Sequence, residues 1–296
     1  MEKRKTTSKN FKDSVLCHLS KYKEKNLEIK ECGIYRHNGK NIPKEHILPI
    51  PKGESKEKVV KEYNVLSCLK DKKFLIEEKD LHRFAHHLNS SQMMCYNFFR
   101  PYIELEEKGK VRPNKDLIKL LGDCEFNIKT CNDAECQFEY VQGDEYKEEG
   151  TNFDFYLRSG ETEVFFEIKY TEEGFGKCKN DEKHEEKFKK VYQGLIGNCD
   201  AIKKPVRFDD EFRKYYQLFR NSIRAKDKNK YVVFIYDKNN NYCESQLNEF
   251  KEKYISKDYQ ENVKGITWQD LVNKIDTDHI REFKKKYMDY LNSATL

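Results

Sequence analysis

Two adjacent apolar segments carry three charged residues of kinds that can do chemistry together. Asp154 lies in the first segment, and Glu167 and Lys169 lie in the second, with Ser159-Gly160 as a turn between them. Period-two alternation puts Asp154 on the polar face of one strand and Glu167 with Lys169 on one face of the next. In a hairpin these faces coincide. Because burying unpaired charges is costly, the sequence predicts a metal ion or a charged partner there.

Two carboxylates beside an ammonium suit hydrolysis of a phosphodiester bond. Carboxylate oxygens are hard ligands of the kind that Mg²⁺ prefers, and the ion lowers the pKa of water and neutralises developing charge. The tripeptide itself is weak evidence, because the sequence also contains an identical Glu28-Ile29-Lys30. The evidence for a site is instead the placement of Glu167 within an apolar strand. The alternative is an edge hairpin whose charges simply face water.

The other elements predict an α/β chain with a mixed sheet. The apolar periodicity favours a helix over residues 80–100 that is capped by Asp80, a second helix over 114–121 and a third over 210–224. Strands are predicted at 135–141, in the hairpin, and in the continuous apolar run 231–236. Beyond this core we expect a strand at 263–267 and helices at 268–275 and 279–291.

Composition and charge set broad limits on this chain. At 296 residues it can form one large domain, and its net charge of +5 gives only weak support for a polyanionic partner. We expect an N-terminal region over 1–79, partly irregular and basic, and a main domain over 80–296. No apolar run long enough for a bilayer occurs, and the ten cysteines are scattered. These features predict a cytoplasmic protein with free thiols.

This order of elements resembles the PD-(D/E)XK nuclease superfamily, with Asp154, a gap of 12 residues and then Glu167-x-Lys169. The similarity covers about residues 80–240 and implies a restriction-endonuclease-like core of order α-β-β-β-α-β, with extra N- and C-terminal elements. The chain also resembles a group of bacterial proteins described as restriction endonucleases. It departs from the family name in one respect, because Phe153 takes the place of the proline.

The resemblance implies a role for each motif residue. Asp154 and Glu167, with the main-chain carbonyl of Ile168, would hold Mg²⁺, for which Mn²⁺ would substitute. Lys169 would orient and activate the attacking water.

Other residues are candidates for the same site. Family members often carry a further acid, and Glu139 or Gln92 could take that place. Gln217 is similar to a glutamine that some members carry on the helix after the third strand. Separately, three arginines lie on one stripe of the predicted 210–224 helix and suit phosphates of nucleic acid; they are Arg213, Arg220 and Arg224.

The sequence thus predicts a Mg²⁺-dependent endodeoxyribonuclease, a type II restriction endonuclease or a related phage-defence nuclease. We expect double-stranded DNA as the substrate and a homodimer, because cutting both strands of a symmetric site takes two centres related by a two-fold axis. One alternative is a structure-selective or single-strand repair nuclease. Another is a non-catalytic nucleic-acid-binding protein of the same fold.

Overall fold

The computed structural model describes residues 2–106, 110–142 and 151–290. The α-helices in these residues are α1 Glu2–Asn26, α2 Lys56–Val59, α3 Ser91–Phe99, α4 Lys115–Asp123, α5 Glu182–Lys187, α6 Gln193–Gly197, α7 Tyr216–Ser222, α8 Asn241–Tyr254, α9 Trp268–Val272 and α10 Asp278–Tyr287. The strands are β1 Gly33–His37, β2 Lys40–Lys44, β3 Ile103–Leu105, β4 Val111–Pro113, β5 Glu135–Gln142, β6 Thr151–Ser159, β7 Thr162–Ile168, β8 Lys230–Tyr236 and β9 Val263–Thr267.

The chain divides into two compact units. The first unit comprises Met1–Pro101 with Gln269–Leu296, and the second unit comprises Tyr102–Trp268. The boundary that the sequence placed at residue 80 falls inside the first unit. All three charged residues of the predicted hairpin belong to the second unit.

The second unit is built on a mixed five-stranded sheet in the order β5-β6-β7-β8-β9. The first three strands are antiparallel, and β7, β8 and β9 run parallel. Helices pack against this sheet, so the unit has the mixed α/β architecture that the sequence predicts. The strand predictions agree with the structure to within a few residues, because alternation and continuous apolar runs are direct signals of a half-buried and a fully buried strand.

The centre of this sheet is almost completely covered. In β8 every residue after Lys230 is buried, as expected for a parallel strand with both faces packed. Phe234 of β8 meets Phe175 with ring centroids 4.9 Å apart, and Phe219 of α7 meets Phe250 of α8 at the same separation. These aromatic contacts fix α7 and α8 within the second unit.

The N-terminal region is more regular than the sequence suggested. Residues expected to be partly irregular form the 25-residue helix α1. Phe11, Val15, Leu19 and Tyr22 are buried at helical spacing along it, a stripe hidden among many lysines. The strands β1 and β2 that follow form a hairpin.

The prediction of a helix over residues 80–100 is wrong for the first half of this range. Only α3 is helical, and its cap is Ser90, whose hydroxyl accepts from the N–H of Met93, rather than Asp80. Residues 81–90 form turns because other segments use their carbonyl groups. Leu48 N–H binds the carbonyl of His86, and the side chain of Asn64 binds two further carbonyl groups in this stretch. Those carbonyls are not available to a helix.

The continuous helix expected over 210–224 is also wrong. A π turn over Phe208–Phe212 and the helix α7 are separated by a kink at Tyr215, whose φ of −116° and ψ of 28° are not helical. In an unbroken helix the N–H of Gln217 would bind the carbonyl of Arg213. Instead Gln217 N–H binds the carbonyl of Gly176, and the carbonyl of Arg213 accepts from the N–H of Cys178. The segment that follows β7 therefore interrupts the helix at this point.

Two further predictions concern the chain as a whole. All ten cysteines lie in the described part of the chain and are free thiols, as expected. No helix in residues 2–106, 110–142 or 151–290 has the length and apolar character needed to span a membrane.

Candidate active site

The β6–β7 hairpin brings Asp154 and Glu167 face to face. The pairing of the strands ends with Phe155 opposite Phe166, and Asp154 and Glu167 are the next residues of the two strands beyond that pair. The turn that joins the strands contains Gly160 in the left-handed region, with φ of 60°. The two polar faces therefore coincide, as the alternation of the two strands predicts.

Asp154 is held by the main chain of the neighbouring strand. Its Oδ2 accepts a hydrogen bond of 2.6 Å from the N–H of Ile168. Burial raises the pKa of the Asp154 carboxyl well above its usual value, and the charges of Glu167 and Glu139 raise it further. The Ile168 N–H and Lys169 act in the opposite direction but do not outweigh these effects. The net effect of its surroundings is therefore to favour the protonated form of this carboxyl.

Glu167 is buried, with 6% of its surface exposed, yet both of its oxygens accept hydrogen bonds. Oε1 accepts from Lys169 Nζ at 3.0 Å and from Gln217 Nε2 at 2.7 Å. Oε2 accepts from Asn221 Nδ2 at 2.9 Å. Three donors therefore surround a single carboxylate, as a buried charge requires.

Lys169 forms a buried ion pair with Glu167. Its surface is 8% exposed, and burial lowers its pKa. The charges of Glu167, Glu172 and Asp154 outweigh that effect, and the net result is a pKa above the ordinary value for lysine. The ammonium therefore stays charged at neutral pH.

The helix α7 supplies the two amide donors. Gln217 and Asn221 are four residues apart and so lie on one face of the helix. The carbonyl oxygen of the Gln217 side chain accepts from the N–H of Gly176 at 3.0 Å, which orients its NH₂ group toward Glu167. The kink that breaks the predicted helix is thus part of the structure that presents Gln217.

Glu139 lies beside Asp154 on the next strand. Phe138 pairs with Phe155 and Tyr140 with Phe153, so the register sets Glu139 across from Asp154. Glu139 has a φ of 50°, an uncommon conformation for a residue other than glycine. Its Oε2 accepts from Asn152 Nδ2 at 2.8 Å.

The donor set of the hairpin fits a hard divalent cation. Asp154 and Glu167 provide carboxylate oxygens, and burial together with the charges of Glu167 and Glu139 raises the pKa of Asp154, a cost that a cation would relieve. Within the described residues no three His, Cys, Asp or Glu side chains converge as a metal-binding group. A cation here would therefore need main-chain or water oxygens as well.

Most of the chain matches the model of one protein family. A family model described as "Restriction Endonuclease associating with ARP" (REase-ARP) matches residues 16–288. The chain belongs to the REase-ARP family. The description implies a nuclease. Searches of curated proteins and of solved structures returned no match.

Gln92 was the other candidate for the additional position in the site of this REase-ARP protein. Gln92 belongs to the first unit, where its amide binds the carbonyl of Asp80 and the N–H of His82. It acts there as a hydrogen-bonded buried amide that holds the turn before α3.

The three arginines do not share one helix. Arg213 and Arg220 are half-buried, and Arg213 precedes the kink whereas Arg220 lies in α7. Arg224 follows α7 and is 3% exposed, so its guanidinium does not lie open to a phosphate. The regular stripe disappears because it depended on an unbroken helix.

Asn221 is the site residue that sequence reasoning missed. It directly contacts Glu167, as Gln217 does. The signal was the spacing Gln217-x-x-x-Asn221, two amides one helical turn apart. This spacing was missed because the sequence prediction for the helix considered only its arginines and its apolar stripe.

Proposed function

We propose that this REase-ARP protein is a metal-dependent endonuclease that hydrolyses phosphodiester bonds of DNA. The observation that carries the proposal is the hydrogen bond from the N–H of Ile168 to Asp154, which holds Asp154 beside Glu167, with Lys169 paired to Glu167. Two acids forced together beside a permanent cation are costly for a fold and are typical of a catalytic centre. We assign the second unit to the restriction-endonuclease-like core of the PD-(D/E)XK superfamily.

In this proposal Asp154, Glu167 and the main-chain carbonyl of Ile168 hold Mg²⁺, and Mn²⁺ can replace it. The ion would supply a lowered pKa for water and neutralisation of the charge on the transition state. Lys169 stays protonated and orients the attacking water through its fixed positive charge. Gln217 holds Glu167 in place from α7.

We further propose that the substrate is double-stranded DNA and that the protein acts as a homodimer. A restriction enzyme or a related phage-defence nuclease must cut both strands, and two copies related by a two-fold axis accomplish this. Arg213 and Arg220 are half-buried on the segment that also carries Gln217, and we assign them to phosphate contacts. The ten free thiols suit the reducing cytoplasm.

The test is a cleavage assay on a substrate panel. Purified protein is incubated with unmethylated phage and plasmid DNA in Mg²⁺, Mn²⁺ or EDTA. Parallel reactions contain single-stranded DNA, branched DNA and RNA. We expect discrete fragments from duplex DNA with either ion and none in EDTA.

Other outcomes would redirect the proposal. Cleavage of single-stranded or branched DNA alone would make the protein a structure-selective repair nuclease. DNA binding without cleavage under any condition would leave a non-catalytic binding protein and end the proposal.

A further inference from the structure

The amide of Asn221 lies at the bottom of the candidate active site. Its surface is 0% exposed, and it occupies the last full turn of α7. Its Nδ2 is 2.9 Å from Glu167 Oε2, an oxygen that neither Lys169 nor Gln217 contacts. The donors on Oε1 hold one oxygen, and Asn221 holds the other.

The orientation of this amide follows from its neighbours. Arg220 Nε lies 3.5 Å from Asn221 Oδ1, a long contact that places a donor beside the carbonyl end. The NH₂ end faces the carboxylate of Glu167. Each end of the amide thus faces a group of complementary character.

Asn221 differs from other buried asparagines of this chain in what it binds. Asn64 and Asn240 donate from Nδ2 to main-chain carbonyls and so tie loops together. Asn262 donates to the carbonyls of Asp227, Lys228 and Lys230. Asn97 donates to the carbonyl of Asn64 and to the hydroxyl of Tyr287, whereas Asn221 donates to a carboxylate. A purely structural asparagine does not need that partner.

From this geometry we infer that Asn221 is a positioning residue for DNA cleavage, fixing the second carboxylate oxygen of Glu167. The inference rests on the proposed function, because it assigns a role within the same site. With Lys169 and Gln217 on Oε1 only, the carboxylate can rotate about its Cγ–Cδ bond. Asn221 removes this freedom and keeps the oxygens in the orientation that the cation requires. Such outer partners of a metal ligand set both its orientation and the affinity of the ion.

The test compares Asn221→Ala, Asn221→Leu and Asn221→Asp with the matched control Asn262→Ala. Asn262 is also buried in the second unit, but its side-chain NH₂ group binds only main-chain carbonyls. Each protein is examined for folding by circular dichroism and for cleavage over a range of Mg²⁺ concentrations. Mn²⁺ binding without DNA is measured by calorimetry, and DNA binding is measured in EDTA.

We expect the Asn221 variants to lose about 10- to 100-fold in Mn²⁺ affinity or in cleavage rate. They should require more Mg²⁺ for half-maximal cleavage, while DNA binding in EDTA is unchanged. Asn262→Ala should be less stable but should keep the wild-type requirement for Mg²⁺. If Asn221 had only a structural role, its variants would lose stability as Asn262→Ala does but would keep the wild-type requirement for Mg²⁺.

Two results would overturn the inference. One is wild-type cation binding and cleavage in a folded Asn221→Leu or Asn221→Asp protein. The other is unfolding of all three Asn221 variants while Asn262→Ala folds, which would make Asn221 a structural residue. Failure of the proposed function is a separate observation, because then the wild-type protein itself does not cleave DNA.

Discussion

Asp154 Oδ2 and the main-chain nitrogen of Ile168 are 2.6 Å apart, so the acid of one strand is tethered to the backbone of the next. Ile168 lies between Glu167 and Lys169 in the sequence, and the tether therefore fixes Asp154 against both. This hydrogen bond helps to hold two carboxylates close to each other against their repulsion. The strain is local, and a cation is the natural means of relieving it.

The first prediction concerns the stability of Asp154→Asn. The pKa of Asp154 is raised in the folded protein, so the folded state binds the extra proton more strongly than the unfolded chain does. The proton on Asp154 therefore stabilises the folded protein fully at a pH below the pKa of Asp154 in the unfolded chain. This stabilisation is lost as the pH rises through the higher pKa of Asp154 in the folded protein. At pH 7 without divalent cations, Asp154→Asn should therefore be more stable than the wild-type protein.

Urea unfolding followed by the fluorescence of Trp268, the single tryptophan, measures this difference. The stability advantage of Asp154→Asn over the wild-type protein should shrink toward pH 4 by up to about 1.4 kcal/mol per pH unit, and added Mg²⁺ should also reduce this advantage. The matched control is Asp133→Asn, at an exposed aspartate of the second unit. If Asp154→Asn is no more stable than the wild-type protein at pH 7, burial and the neighbouring acids do not raise the pKa of Asp154 as described.

The second prediction concerns the ion pair of Glu167 and Lys169, whose side chains are 7% and 11% exposed. Lys169→Met leaves a buried carboxylate without its counter-charge and should cost about 3 kcal/mol of unfolding free energy. Glu167→Gln leaves the buried ammonium without its partner and should also destabilise the protein. The double variant removes both charges, so it should cost about 1–3 kcal/mol less than the sum of the two.

Urea unfolding of the four proteins gives this coupling free energy. Lys230 and Glu163, a half-buried pair 2.8 Å apart in the same unit, provide the control cycle. That pair is more exposed to water and should give a smaller coupling of about 1 kcal/mol or less. Additive effects at Glu167 and Lys169 would show that the pair does not stabilise the site.

The third prediction concerns His87 of the first unit. It is buried among aromatic rings and against His86, and its Nε2 has no hydrogen-bond partner. Burial lowers the pKa of His87 to about 3, and the neighbouring histidines His86 and His46 lower it as well. The unfolded chain thus binds more protons, and stability should fall as the pH drops from about 6.5 toward 3.

Thermal unfolding of His87→Phe across this pH range tests the point. The variant keeps an aromatic ring but cannot titrate, so its free energy of unfolding should fall less steeply with decreasing pH than that of the wild-type protein. The two slopes should differ by up to about 1.4 kcal/mol per pH unit. The matched control is His37→Phe, which makes the same substitution at an exposed position of the first unit. Equal slopes for His87→Phe and the wild-type protein would contradict the assignment.

The strands and the pairing of Asp154 with Glu167 could be predicted because these features are written locally. Alternation gives the face of each residue, and the short turn at Gly160 gives the register. The same local signals predicted the buried strand β8.

What the sequence could not give depended on hydrogen bonds between distant segments. The first half of the predicted 80–100 helix is lost because Leu48 and Asn64 bind its carbonyls. The helix before β8 is broken because Gly176 binds Gln217. That break also determines that Asn221 faces Glu167. Helical periodicity holds no information about such partners.

The most direct test of the proposed active site uses the two identical Glu-Ile-Lys tripeptides of this chain. Glu167→Gln alters the one in the hairpin, and Glu28→Gln alters the exposed one in the first unit. We predict that Glu167→Gln slows cleavage of duplex DNA in Mg²⁺ by about 10³-fold or more, because several kcal/mol of transition-state stabilisation are lost. Glu28→Gln should cleave at the wild-type rate, and both should bind DNA in EDTA. A folded Glu167→Gln protein that cleaves DNA as fast as Glu28→Gln would contradict the account.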